Sequence, residues 1–246
     1  MSDNQDQLSV LIELTAQNAQ KSQFISTVSH EFRTYVTALS MNIQMLEIYD
    51  AKWSPEKKAT VFSRLRHSMK SMIQLLDQVS FLSKDIDGKL ALSYSVFDVV
   101  SFCKEAVEKA NHAAEFPATA VFTSGNVPPS VPTDSSLFNL IVTNLLSNAL
   151  KFSRDGGQAE LYLGLEGDTI LVVRTTDTGI GIPQEALNQV YEPFFRAQNA
   201  LQYPGSGLGL TVVRRAAGKL RGTVDLQSKP DTGTTVTVKL PIESAS

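Results

Sequence analysis

Residues 144–153 read NLLSNALKFS, and this stretch decides the second half of the chain. Its apolar residues recur at helical spacing, but Asn144 and Asn148 stand four apart and Lys151 seven from the first, so the three share one helical face. Asn is a mediocre helix former because its amide competes for backbone hydrogen bonds, so two of them with a lysine on an otherwise apolar helix call for a reason. A carboxamide oxygen suits Mg²⁺, and an ammonium suits phosphate. Taken alone, the motif also fits a face that meets only solvent.

The flanking segments favour the ligand. Downstream, the strand-like ILVVRTT runs into DTGIGIP, Asp177 to Pro183. An acid followed by Gly179 and Gly181 puts a carboxylate at the mouth of a sheet, beside backbone that a flat ligand can approach closely. GSGLGL then supplies Gly205, Gly207 and Gly209 before an apolar helical stretch, the arrangement in which N–H groups and a helix N-terminus hold phosphate. No Lys-Ser or Lys-Thr follows, so it is not a Walker motif, and the βαβ context of a Rossmann fingerprint is missing. Between the two lies YEPFFRA, with Phe194 and Phe195 as an apolar hinge and Arg196 as a cation for phosphate. The loop from Arg196 to Ser206 is placed to close over a ligand.

Around these motifs the pattern predicts an α+β domain. Asp98 to Ala114 reads as a helix, Ala118 to Thr123 as a strand, and a helix opens at Asp134 after the Pro-rich GNVPPSVP. Ala159 to Leu165 and Thr169 to Thr176 read as a hairpin turning at EGD. A helix starting near Gly207, then Thr223 to Leu226 and Thr234 to Leu240, complete an antiparallel or mixed sheet covered by helices.

The first part differs. From Leu8 to Tyr49 there is no Pro or Gly, and Phe24, Val28, Phe32, Tyr35, Leu39, Ile43 and Leu46 recur at helical spacing. Pro55 suits the start of a second helix, whose stripe runs Val61, Leu65, Met69, Met72, Leu76, Val79. One hairpin can hardly bury both stripes, whereas a dimer with four helices would. The turn DIDG, Asp85 to Gly88, marks the boundary, giving domains 1–85 and 86–246.

On the first helix, with 100° per residue and Phe24 as zero, the apolar stripe spans roughly 0° to 100°, while His30 falls near 240°, Thr34 near 280° and Glu31 near 340°. An exposed imidazole with a carboxylate beside it and a hydroxyl one turn on is a candidate nucleophile with a base and a water-positioning group. An ordinary surface histidine fits the same geometry. His67 also lies opposite its stripe but has no adjacent acid, and reads as surface.

The bulk numbers agree with two domains. The chain has 246 residues, 42% hydrophobic and 19% charged, which suits a folded protein rather than a disordered one. A net charge of −3 supplies no basic field, so nucleic acid is not an expected partner. A single cysteine, Cys103, forms no disulfide within the chain and points to a reducing compartment. No run approaches the roughly eighteen apolar residues of a membrane span. The expectation is a cytoplasmic chain without membrane contact, alone or as the portion of a longer anchored protein.

Taken in order, STVSHEFRT, NLLSNALKFS, DTGIGIP, YEPFFRA and GSGLGLTVVRR resemble the H, N, G1, F and G2 boxes of sensor histidine kinases, and GTTVTVKLP resembles the last strand of that family's ATP-binding domain. The resemblance implies a multi-domain fold: an all-α hairpin forming a four-helix bundle as a homodimer, then an α+β sandwich of the Bergerat (GHKL) type shared with gyrase and Hsp90. It implies ATP-dependent autophosphorylation on His30 and transfer to an aspartate of a response-regulator receiver domain, with ATP and Mg²⁺ as cofactors. By the same resemblance Glu31 is the base and Thr34 the phosphatase residue, Asn148 is the Mg²⁺ ligand and Asn144 its companion, and Lys151 meets phosphate. Asp177 accepts the adenine amino group. Phe152, Gly179, Gly181, Arg196, Gly205, Gly207, Leu208 and Gly209 complete the nucleotide site.

One departure stands out: the family usually has Pro five residues after the histidine, where this chain has Tyr35. Without proline the helix is expected to be straighter below His30. The balance of kinase and phosphatase states stays open, as does the choice between phosphorylation within one chain or across a dimer. A silent scaffold and a hydrolytic ATPase are the competing readings.

Overall fold

The computed structural model describes residues 2–49, 52–113 and 118–242, with side chains from Ser22 onward except those of 23 and 113. Ala114, which ends a helix read from sequence, lies outside the described residues. The chain forms two compact units, Met1–Val79 and Ser80–Ser246.

In the first unit, α1 (Ser2–Tyr49) runs unbroken through Tyr35, and α2 spans Pro55–Ile86. Pro55 takes the first position of α2, where its missing N–H costs nothing, and Ser54 receives the Lys57 N–H on its Oγ at 3.4 Å. Tyr49 stacks on Trp53 at 5.6 Å where the connection enters α2. The α1 stripe appears as expected: Phe24, Val28, Phe32, Tyr35, Leu39 and Leu46 are half-buried, with Ile43 more exposed. In α2 the expected stripe is partly corrected. Val61, Leu75 and Leu82 are buried, but Met69 and Leu76 are more than half exposed. The covered row runs 61, 65, 68, 72, 75, 79, 82, a strict alternation of four and three, leaving Phe62, Met69, Ile73 and Leu76 as a second apolar row open to solvent.

The second unit takes up the end of α2. Phe81, Leu82 and Asp85 are buried in it. The Asp85 carboxylate pairs with Lys219 Nζ at 2.8 Å and Arg215 Nη1 at 3.0 Å, and so is compensated by two cations. Next come β1 (Tyr94–Asp98), α3 (Val99–Ala113), β2 (Thr119–Ser124), β3 (Ser130–Asp134), α4 (Ser135–Phe152), β4 (Gln158–Glu166), β5 (Ile170–Asp177), α5 (Gly209–Lys219), β6 (Thr223–Lys229) and β7 (Gly233–Pro241). The main sheet has the order β2-β4-β5-β7-β6, mixed because β2 and β4 are parallel while the other neighbours are antiparallel. β1 and β3 pair separately as a two-stranded ribbon that the sequence reading did not contain. Pro132 sits within β3, which has no partner strand on its other side.

Burial along β5 alternates strictly, so Leu171, Val173, Thr175 and Asp177 share the face under the helices with Leu161 and Leu163 of β4 and Val236, Val238 and Leu240 of β7. α4 covers that face with Leu137, Phe138, Ile141, Val142, Leu145, Leu146, Ala149 and Leu150. Asp134 caps it, its Oδ1 accepting from the N–H groups of Ser136 and Leu137 at 3.0 Å each. Burying this many large side chains, each contributing about 1.5–3 kcal/mol, holds α4 to the sheet, and α4 carries the polar residues of the site.

Candidate active site

The period of two along β5 carries Asp177 to the helix side at the strand's last residue. Its Oδ1 accepts from Gly179 N–H at 2.9 Å and from Thr234 N–H, across the β7 pairing, at 3.2 Å. Burial pushes its pKa up to about 6, although both N–H bonds oppose the rise. The Gly-rich turn that follows is pinned to its neighbours. Ile180 N–H bonds Phe152 O at 3.1 Å, and a Cβ on Gly179 would lie 2.0 Å from that oxygen. Gly181, at φ +62°, has the Lys229 carbonyl 2.0 Å from where a Cβ would stand. Only glycine meets both demands.

Asn144, Asn148 and Lys151 share the α4 face that meets the start of α5. A Cβ on Gly209, the first residue of α5, would lie within 3.5 Å of both the Asn144 and Asn148 amides. Leu208 is fully buried and anchors that turn, and Gly207 lies against the Phe194 and Phe195 backbone. Gly205 faces Lys151, whose Nζ is 2.8 Å from the position of a Gly205 Cβ.

Lys151 makes no ion pair among the described residues. Its ammonium sits 4.3 Å from the Phe152 ring centroid instead. Burial, with Arg196 nearby, lowers its pKa to about 8. A desolvated ammonium without an acid, beside a guanidinium, is a site for an anion. Arg196 coils the segment that follows it: its Nη2 donates to the carbonyls of Ala200 (2.7 Å), Leu201 (3.1 Å) and Tyr203. In this structure, therefore, the guanidinium is engaged with loop carbonyls.

Three residues near the site were not singled out from sequence. Tyr203 packs edge-on against Phe152 at 5.5 Å, Asn199 Nδ2 donates to Gly181 O at 2.9 Å, and Thr234 supplies an N–H to Asp177. Between this loop and the Gly-rich turn, Ile180, Pro183, Asn199, Leu201, Pro230 and Asp231 line a cavity of about 580 Å³.

In the first unit, His30 is three-quarters exposed, and its Nδ1 lies 4.0 Å from Glu31 Oε1, which is partly shielded. Thr34, also exposed, donates its hydroxyl to His30 O at 3.2 Å. His30 and Thr34 thus lie on the solvent face of α1, with the part-buried Glu31 between that face and the stripe, as the helical angles required.

These two residue sets coincide with two family models. Residues 20–88 match the His Kinase A (phospho-acceptor) domain, and residues 133–244 match the histidine kinase-, DNA gyrase B-, and HSP90-like ATPase. The chain belongs to the sensor histidine kinase family. Among this family's members it is 30% identical to the autoinducer 2 sensor kinase/phosphatase LuxQ of Vibrio parahaemolyticus over 232 residues, which is 91% of this chain and 27% of that protein. It is 28% identical to the sensor histidine kinase RcsC of Escherichia coli over 236 residues, 92% of this chain and 24% of the relative. The chain thus spans about a quarter of the length of these relatives. Of solved histidine kinases, the Acinetobacter baumannii AdeS structure aligns with a TM-score of 0.64 over 87% of this chain and 98% of that one at 21% identity, which speaks for the fold. The mycobacterial sensor histidine kinase MprB aligns at 28% identity and TM-score 0.53, over 61% of this chain and 99% of that one.

A nucleotide held by Asp177 and Lys151 would bind within a pH window set by these two groups. As pH falls through about 6, Asp177 gains a proton and ceases to be a pure acceptor; as pH rises through about 8, Lys151 loses its charge. ATP affinity measured by calorimetry from pH 5 to 9 is expected to be highest between these values. Adenosine, lacking phosphate, should keep the acid limb and lose the alkaline one.

Proposed function

We propose that this chain is the catalytic core of an ATP-dependent protein-histidine kinase, with the hairpin through residue 85 bearing the acceptor and residues 86–246 the ATP site. The observation that carries this reading is that one chain holds both an exposed imidazole with an adjacent carboxylate and a second set of residues fit for a nucleotide triphosphate. In that second set Asp177 Oδ2 accepts from the adenine amino group while Oδ1 stays committed to the backbone. Gly179 and Gly181 leave room for the flat base, and Lys151, seated over the Phe152 ring, meets the phosphates with Arg196. Gly205, Gly207, Leu208 and Gly209 bring N–H groups and the N-terminus of α5 to the triphosphate.

The donor set suits Mg²⁺. Two carboxamides converge on one point next to α5, and among the described residues no three His, Cys, Asp or Glu side chains form a metal cage, so the cation would be held by Asn148, with Asn144 beside it, and by the nucleotide's own oxygens. Bound there, it would neutralise charge on the phosphates.

In the reaction, His30 Nε2 attacks the γ-phosphorus of ATP, a P–N bond forms as the bond to the β,γ-bridging oxygen breaks, and ADP departs. Glu31 orients the ring through Nδ1–H; bond formation at Nε2 leaves the ring cationic, and the Nδ1 proton passes to the Glu31 carboxylate, giving neutral phosphohistidine. The phosphoryl group then passes to an aspartate of a response-regulator receiver domain, restoring free His30. Thr34 stands one turn on, where it positions water against the regulator's phospho-aspartate, whose hydrolysis releases phosphate and restores the aspartate. The open row Phe62, Met69, Ile73 and Leu76, with Ile25, Val36, Met41 and Ile48 of α1, supplies the apolar surface that a second copy would cover in a four-helix dimer. No helix among the described residues is long and apolar enough to cross a membrane.

A gyrase-like hydrolytic role is the competing reading, since one of the matching models includes such ATPases. Incubation with γ-labelled ATP and Mg²⁺ separates them. Kinase activity yields ADP in step with protein-bound label, at most one per chain, whereas many ATP turned over with no label would establish hydrolysis instead.

A further inference from the structure

Lys151 is a partly buried cation without an acidic partner among the described residues, and something must hold its ammonium in place. The Phe152 ring lies beneath it, and the edge of that ring is buttressed by Tyr203, with the ring planes 67° apart. Tyr203 is brought there by the coil that Arg196 imposes on 200–203, and Asn199 fastens the same coil to the carbonyl of Gly181. Gly205, two residues on, then passes against Lys151 Nζ. Among the described residues the Tyr203 hydroxyl makes no hydrogen bond, so its ring rather than its oxygen does the packing.

We infer that Tyr203 is a positioning residue for the triphosphate: by packing on Phe152 it fixes the ring over which the Lys151 ammonium sits, and so holds that charge where phosphate binds. This rests on the nucleotide site proposed above and adds to it a residue outside the Gly-rich motifs. The route of action runs from Arg196 through the loop coil to Tyr203, Phe152 and Lys151. A loop that merely covered the ligand would act on every nucleotide alike, whereas a residue working through Lys151 acts on phosphate.

The test compares wild type, Tyr203→Ala and Tyr203→Phe for binding of Mg-ATP by calorimetry and of adenosine by NMR titration, with the melting point of each full chain as a check on folding. Loss of an edge-to-face aromatic pair should weaken ATP binding roughly fivefold in Tyr203→Ala. Adenosine binding should change less than twofold, and Tyr203→Phe should bind both as wild type does. Equal losses for ATP and adenosine, no loss at all, or a selective loss that phenylalanine does not restore would each overturn the inference while leaving the ATP site standing. Wild type that bound neither ligand would overturn the site itself, and this inference with it.

Discussion

Asp177→Asn is expected to weaken nucleotide binding on the order of a hundredfold while making the ligand-free chain more stable. Both effects follow from one carboxylate. Burial raises its pKa from 3.8 to about 6, so between those values the folded chain binds more protons than the unfolded one, and stability falls as pH rises through that window. Above pH 6 the full cost of the buried charge is present. The amide keeps Oδ1 for Gly179 and Thr234 and removes the charge, so at pH 7.5 the variant should gain about 2 kcal/mol, from roughly two units at about 1.4 kcal/mol each, less what the weaker acceptor loses. Its Nδ2 then points a donor where the adenine amine also brings donors, and ATP affinity should fall on the order of a hundredfold. Thermal melting with and without Mg-ATP reads both: the apo melting point rises and the nucleotide-induced shift disappears. A lower apo melting point with the shift retained would show that the carboxylate is a structural group.

The second large effect belongs to Gly181→Ala. Alanine at φ +62° costs roughly 1–2 kcal/mol, and its methyl would sit 2.0 Å from Lys229 O, a backbone atom that moves only if the turn between β6 and β7 moves. With the overpacking added, the loss should be about 3 kcal/mol, or roughly 10 °C in melting point for the second unit. Because Gly181 O also accepts from Asn199, the loop should loosen and ATP affinity fall with it. An unchanged melting point by circular dichroism would contradict this account of the turn.

How much of this was readable beforehand depended on periodicity. The strand-like ILVVRTT running into DTGIGIP put the Asp177 carboxylate at the mouth of a sheet, and the i, i+4, i+7 spacing put Asn144, Asn148 and Lys151 on one face, because helix geometry fixes side-chain direction before any packing is known. The same rule put His30 and Thr34 outside the α1 stripe. It misjudged α2, where two neighbouring apolar rows exist and spacing alone does not say which is covered: Leu75 and Leu82 are, Met69 and Leu76 are not. The ribbon of β1 and β3 was missed since Tyr94 and Val96 are exposed and Pro132 argues against a strand, although a strand without a second neighbour tolerates it. Tyr203, Asn199 and Thr234 left no trace, for loop side chains and cross-strand N–H groups follow tertiary arrangement rather than any repeat.

The central claim is that the nucleotide bound at Asp177 supplies a phosphoryl group to His30. It is tested most directly by incubating wild type and His30→Gln with γ-labelled ATP and Mg²⁺, then splitting each sample between acid and alkali. The account predicts a label on wild type that is lost in acid and kept in alkali, and none on His30→Gln even though that variant binds ATP as wild type does. Equal labelling of His30→Gln, or a label stable to acid, would contradict it.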